Sequence, residues 1–117
     1  MKRLPLLTLS ATLFVSALAQ AHAHLESTMP ADGSTVTASP ESVMLMFSEA
    51  ARLTALTIRK DGEEAQKLSP LPTRPSAHLM VPVPKLAPGH YTVEYRVVSD
   101  DNHVMAGKLA FTVAPAK

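Results

Sequence analysis

The sequence predicts an all-β protein: a β-sandwich or small barrel of six or seven short strands. Three observations carry that prediction. Apolar and polar residues alternate with a period of two in several separate runs. Turn-forming residues punctuate the chain between those runs. The ten prolines, most of them between the runs, disfavour long helices.

In chain order, Leu25–Met29 reads as a short strand closed by the turn formers Pro30-Ala31-Asp32-Gly33. Ser42–Phe47 places Val43, Leu45 and Phe47 on one face and Met44 and Met46 on the other. In Leu53–Arg59, Leu56 and Ile58 share a face, and Lys60-Asp61-Gly62 ends the run. Glu63–Leu68 reads equally as a helical turn or a strand. Ser69–Ser76, with three prolines, reads as an irregular surface loop. His78–Val83 is a second short strand, followed by the turn Leu86-Ala87-Pro88-Gly89. Tyr91–Val98 is the longest run, with Tyr91, Val93, Tyr95 and Val97 inward. Lys108–Val113 closes the set, with Leu109, Phe111 and Val113 sharing a face.

Ahead of these runs, Lys2 and Arg3 precede an apolar segment from Leu4 to Leu18, and Ala19-Gln20-Ala21-His22-Ala23 ends in a small-x-small pattern. A basic start, an apolar stretch and such an end define a secretory signal peptide over residues 1–23. The apolar stretch falls short of the roughly 20 residues that span a bilayer. Pro5, Thr8, Ser10, Thr12 and Ser16 also interrupt it. A cleaved signal is therefore expected, with no transmembrane anchor afterwards and a single mature domain over 24–117. Ala19-Gln20-Ala21 satisfies the same rule, and a cut there would leave His22 first and His24 third.

Removing the first 23 of 117 residues leaves 94, enough for one domain with a modest core. Two basic residues of eleven leave with the signal, so nine face ten acidic residues. With no basic excess and no run of Lys or Arg, nucleic acid is excluded as a partner. The absence of cysteine removes disulfides, thiolate zinc ligands and thiol nucleophiles. Any metal chemistry must use His, carboxylate, Met or the terminus.

Cleavage after Ala23 would free the α-amine of His24 beside its own imidazole, a bidentate nitrogen chelate. Asp101-x-His103, in the segment joining the last two predicted strands, sets a carboxylate and a second imidazole on one side of an extended chain. By itself that motif fits an ordinary exposed loop, since Asp100 and Asn102 are polar too. Joined to His24 it gives three nitrogens and one oxygen. A tetragonal N/O set without sulfur suits Cu(II). Zinc accepts the same atoms in a tetrahedron, but the amine favours Cu(II).

The chain resembles the CopC-type periplasmic copper-binding domains along essentially its whole mature length. The resemblance rests on Ala21-His22-Ala23-His24-Leu25, Ser27-Thr28-Met29-Pro30-Ala31-Asp32-Gly33-Ser34 and Leu45-Met46-Phe47-Ser48-Glu49. Leu86-Ala87-Pro88-Gly89-His90-Tyr91-Thr92-Val93 and Ser99-Asp100-Asp101-Asn102-His103 with Gly107 extend it. The resemblance implies an immunoglobulin-like Greek-key β-sandwich and one Cu(II) ion per chain. The ligands it implies are His24, Asp101 and His103, with Glu49 near the copper or as an alternative ligand. It further implies a periplasmic, non-enzymatic role in copper resistance, buffering or delivery, with a CopD-like inner-membrane partner. A monomer is expected.

Some members of that family carry a second, Cu(I)-selective site in a Met-rich central loop. The corresponding stretch here, about Asp61 to Ala77, holds no Met, and His78 and Met80 at its end are thin provision for Cu(I), so Cu(II) alone is expected. Met44 and Met46 are read as packing on a second sheet face, and His90 as an exposed turn residue. Two competing functions remain to be weighed. A copper-brace redox enzyme also uses an amino-terminal His, but two Tyr, three Phe and no Trp provide few aromatics for a substrate surface. An Asp ligand would also fill a position that oxygen activation needs open. A metal-free immunoglobulin-like module would gain no stability from Cu(II), whereas a ligand bound by the folded state must stabilise it.

Overall fold

The computed structural model describes residues 23–115. The expected signal peptide, apart from Ala23, lies outside the described residues. Seven strands follow in order: β1 (Leu25–Met29), β2 (Ser34–Val36), β3 (Ser42–Lys60), β4 (Gln66–Lys67), β5 (Ser76–Pro82), β6 (Gly89–Ser99) and β7 (Val104–Val113). No helix among the described residues is long and apolar enough to cross a membrane.

Hydrogen bonding links the strands in the order β1-β3-β6-β7-β2, with β4 and β5 attached to β3. The first part of β3, through Phe47, is paired with β1 on one side and β5 on the other. From Ala51 onward β3 pairs with β6, and near its end with β4. One strand thus serves both layers of the sandwich. The two expected runs, Ser42–Phe47 and Leu53–Arg59, are halves of this single element of 19 residues. No Gly or Pro stands between them, so the chain crosses from layer to layer still extended.

A bulge in β3 reconciles its two halves with one core. The register with β6 slips between Leu53 and Ala55, and the Thr54 hydroxyl donates to the carbonyl of Arg96 at 3.1 Å. The extra residue inverts the alternation. Leu53 therefore faces inward, as do Leu56 and Ile58 one step out of phase with it. Against them pack Val43, Leu45 and Phe47 of the first layer with Leu79 and Val81 of β5. Tyr91, Val93, Val97, Leu109, Phe111 and Val113 supply the second layer. The inward faces read from the sequence are the faces observed.

One short strand was not expected and another had been left open. β2 lies parallel to β7 through Ser34–Phe111, Thr35–Thr112 and Val36–Val113. β4 is a two-residue pairing on β3, which resolves Glu63–Leu68 in favour of a strand. Neither has enough alternation to announce itself; each is made by its partner.

Aromatic packing fixes the approach of β6 to its neighbours. Tyr91 stacks on its cross-strand partner Phe111 at 5.7 Å between ring centres, and its hydroxyl donates to the Ala87 carbonyl at 2.5 Å. Tyr95 meets Phe47 edge-on at 6.0 Å. Its ring also lies over Gly107, where an added Cβ would run into the phenol. Burial raises both phenols above the ordinary value of 10.0, helped at Tyr91 by the Glu63 carboxylate. Folding thus favours the protonated phenols; their contribution is complete below pH 10.0 and is lost as pH rises through the folded values.

β6 and β7 form a hairpin whose tip carries Asp101 and His103. The Ser99 amide donates to the His103 carbonyl at 2.9 Å, and the Asn102 amide donates to the Ser99 carbonyl at 2.9 Å. Asn102 closes the turn at φ 66°, a left-handed conformation that Asn tolerates better than most residues.

Two substitutions test these contacts. Gly107→Ala should force Tyr95 off Phe47 and destabilise the fold by about 1–3 kcal/mol, read as a lower denaturation midpoint. Asn102→Ala should cost about 1 kcal/mol while Asn102→Gly leaves stability nearly unchanged, because only the first meets the left-handed penalty.

Candidate metal centre

His24 sits directly before β1, where the chain enters the sheet. The β1–β3 pairing sets Leu25 opposite Phe47, so the next step outward brings His24 to Ser48. The Ser48 amide donates to the His24 carbonyl at 2.8 Å, which fixes the backbone of His24 against β3. The His24 main-chain nitrogen donates to Ser48 Oγ at 2.9 Å, and His24 Nδ1 lies 3.2 Å from the same oxygen. Backbone nitrogen and Nδ1 therefore converge on a single point. These are the two atoms that close a six-membered chelate ring when both bind one ion; Nε2, on the far side of the ring, cannot close it. Ser48 was missed in the sequence. Its signal was position, one residue beyond the apolar run of β3.

Asp101 and His103 come together across the tip of the β6–β7 hairpin. Asp101 Oδ2 lies 3.0 Å from His103 Nδ1. Asp101 Oδ1 accepts from Ser99 Oγ at 2.5 Å, and that hydroxyl also reaches the His103 carbonyl at 3.4 Å. A carboxylate on Nδ1 holds the imidazole in one orientation and directs Nε2 as its metal-binding atom. Both side chains are exposed, so the contact between them is weakly held and able to rearrange.

The two pairs lie on the same stretch of β3. Ser48 meets His24, and Ala51, three residues on, is the register partner of Ser99 at the hairpin base. At the rise of an extended chain this separates the anchor points by roughly 10 Å along the strand. Glu49 stands between them, exposed, where β3 has left β1 and has not yet met β6. Among the described residues no three His, Cys, Asp or Glu are grouped closely enough to hold an ion. The structure thus forms the His24 and the Asp101–His103 halves separately. His90 lies elsewhere, with Nδ1 at 2.8 Å from Thr112 Oγ1 at the start of β6.

Ala23 bears on where the chain is cut. It is 1% exposed and belongs to the hydrophobic core. A cut after Ala23 removes that methyl group, and a cut after Ala21 keeps it.

Comparison with known proteins places this arrangement. The CopC domain model matches residues 25–114. Protein YobA of Escherichia coli K12 is 34% identical over 112 residues, covering 92% of this chain and 90% of its own. Copper resistance protein C of Pseudomonas syringae pv. tomato is 32% identical over 114 residues, covering 89% and 90%. Among solved structures, CopC from Methylosinus trichosporium OB3b matches with a TM-score of 0.70 at 28% identity, over 82% of this chain and 97% of that one. PcoC, a methionine-rich copper resistance protein from Escherichia coli, matches with a TM-score of 0.59 at 32% identity, over 80% and 99%. The all-β Greek-key fold expected from the resemblance is the fold found, and the chain belongs to the CopC family.

Proposed function

We propose that the mature protein is a periplasmic Cu(II)-binding protein that buffers or delivers copper. The family and its copper resistance relatives support a role in copper resistance. The observation that carries the finer reading is the convergence of the His24 nitrogen and Nδ1 on one point. Once Ala23 is removed, that nitrogen is an amine, and the two atoms chelate one Cu(II). The exposed hairpin tip closes toward them, adding His103 through Nε2 and Asp101 through its carboxylate, with Glu49 as an alternative oxygen donor. The N/O set lacks sulfur and suits Cu(II). Four donors from a terminus and an exposed turn leave the ion accessible for exchange with a partner of the CopD type. The protein acts as a monomeric carrier holding one Cu(II) ion, not as an oxidase.

A second reading has the burial of Ala23 in its favour. A cut after Ala21 would keep that core contact and place His24 third. Cu(II) would then be held by the terminal amine, the amides of residues 23 and 24, and His24 Nδ1, with no call on Asp101 or His103. N-terminal sequencing of exported protein separates the two.

Retaining one residue before His24 should weaken Cu(II) binding by more than about 100-fold, or about 2.7 kcal/mol. His103→Ala and Asp101→Ala should each cost roughly 10–100-fold, the range found when a metal site loses one supporting group. Unchanged affinity in the extended protein would overturn the amine chelate. Insensitivity to His103→Ala and Asp101→Ala, with tight binding in the exported form, would favour the alternative cut. Affinity should fall on acidification, because amine, imidazoles and carboxylate must all be deprotonated to bind.

A further inference from the structure

The outer face of the first layer gathers sulfur atoms that the sequence scatters. Met29 of β1 and Met80 of β5 are both register partners of Met44 in β3, so three thioethers stand side by side across three adjacent strands. One row along, Met46 is flanked by Ser27 and His78. Directly opposed residues of paired strands share a face. The alternate row, Thr28, Leu45 and Leu79, is buried in the core, so the methionine rows point outward.

Packing does not account for this arrangement. Met29 is 57% and Met80 54% exposed, and Val104 is the one other large apolar side chain so exposed among the described residues. The outward face of β6 carries Thr92, Glu94 and Arg96, the ordinary polar cover of a solvated sheet. Across the methionine rows the register partners are Ser, Met, His and Pro, with no charged group among them.

Neutral thioethers select soft cations, Cu(I) above all, over Cu(II), zinc or magnesium. Neighbouring strands lie about 4.8 Å apart, and each flexible Met side chain can lean across that spacing toward the central one. Met46 is already engaged, its sulfur accepting from the Ser27 hydroxyl at 3.7 Å. His78 lies on the same face as Met80, two residues away on β5, and diagonal to Met44.

We propose that Met29, Met44 and Met80, with His78 as a fourth donor, form a binding site for Cu(I) on the outer face of the β1-β3-β5 layer. The site is separate from the His24 chelate. Met44 lies four residues from Ser48 on β3, roughly 13 Å along the strand. It does not use the stretch between Asp61 and Ala77, which has no Met. Its donors come from strands, and it holds Cu(I) whether or not the terminal site is complete.

The test is an anaerobic titration of the exported protein with Ag(I), a redox-inert probe for Cu(I), followed through the methionine methyl resonances. Cu(I) affinity is then measured by competition with a chromophoric chelator. The Met29, Met44 and Met80 methyls should shift together up to one equivalent while Met105 stays in place. Met44→Leu and the solvent-facing Met80→Leu should each weaken Cu(I) binding at least 10-fold and leave Cu(II) affinity unchanged. Retaining a residue before His24 should do the reverse. Absence of methyl shifts would overturn the proposal. So would Cu(I) affinity unaltered in a folded Met80→Leu protein, or Ag(I) binding lost when His24 is blocked.

Discussion

The pairing of β3 with three different strands along its first two-thirds is the constraint on which the remaining architecture depends. Because β3 stays extended for 19 residues, the layer holding β1 and β5 and the layer holding β6 and β7 are built on one backbone. Its bulge at Thr54 keeps Leu53 and Leu56 both inward, so the layers share one core. Its short stretch around Ser48–Ala50, after β1 and before β6, is where His24 and the hairpin base approach each other. Loss of the β3 pairing on either side of that stretch would leave polar main-chain groups unmatched in both layers.

How far the sequence could be read follows from range. Period-two alternation is a local signal, and the inward faces of β6 and β7 were visible in it residue by residue. The continuity of β3 was not, because Ser48-Glu49-Ala50 carries no apolar alternation even though nothing breaks the strand. β2 exists through a partner distant in sequence and left no local trace, and the local pattern of Glu63–Leu68 could not separate a strand from a helical turn. At the candidate metal centre, His24, Asp101 and His103 stood out in the sequence as candidates by chemistry, spacing and family resemblance. The Ser48 contact required the β1–β3 register. The methionine rows required two registers together, since Met29, Met44 and Met80 are far apart in the chain and each looks unremarkable alone.

The two copper environments we propose differ in hardness and in how they are built. At the terminus the donors are nitrogen and oxygen, borne on a chain end and a turn, which can rearrange at little cost. On the sheet face the donors are sulfur, mounted on three hydrogen-bonded strands whose spacing is set by the ladder. The first suits an ion handed on by ligand exchange, the second a shallow surface on which a softer ion rests. On these two proposals, one small domain without cysteine would hold both oxidation states.

The hydroxyl of Ser48 occupies the point on which the two His24 nitrogens converge, and its hold on them has a consequence in time. While the peptide bond to Ala23 is intact, the His24 nitrogen is an amide that donates to this oxygen and has no lone pair to offer a metal. Newly made protein would then travel unloaded, with the ring already turned to its final direction. With the cut after Ala23 that we propose, loss of the leader would convert donor to acceptor at that one atom. Copper would be captured where the leader is cut off, and the copper pools of the compartment of synthesis would be left untouched.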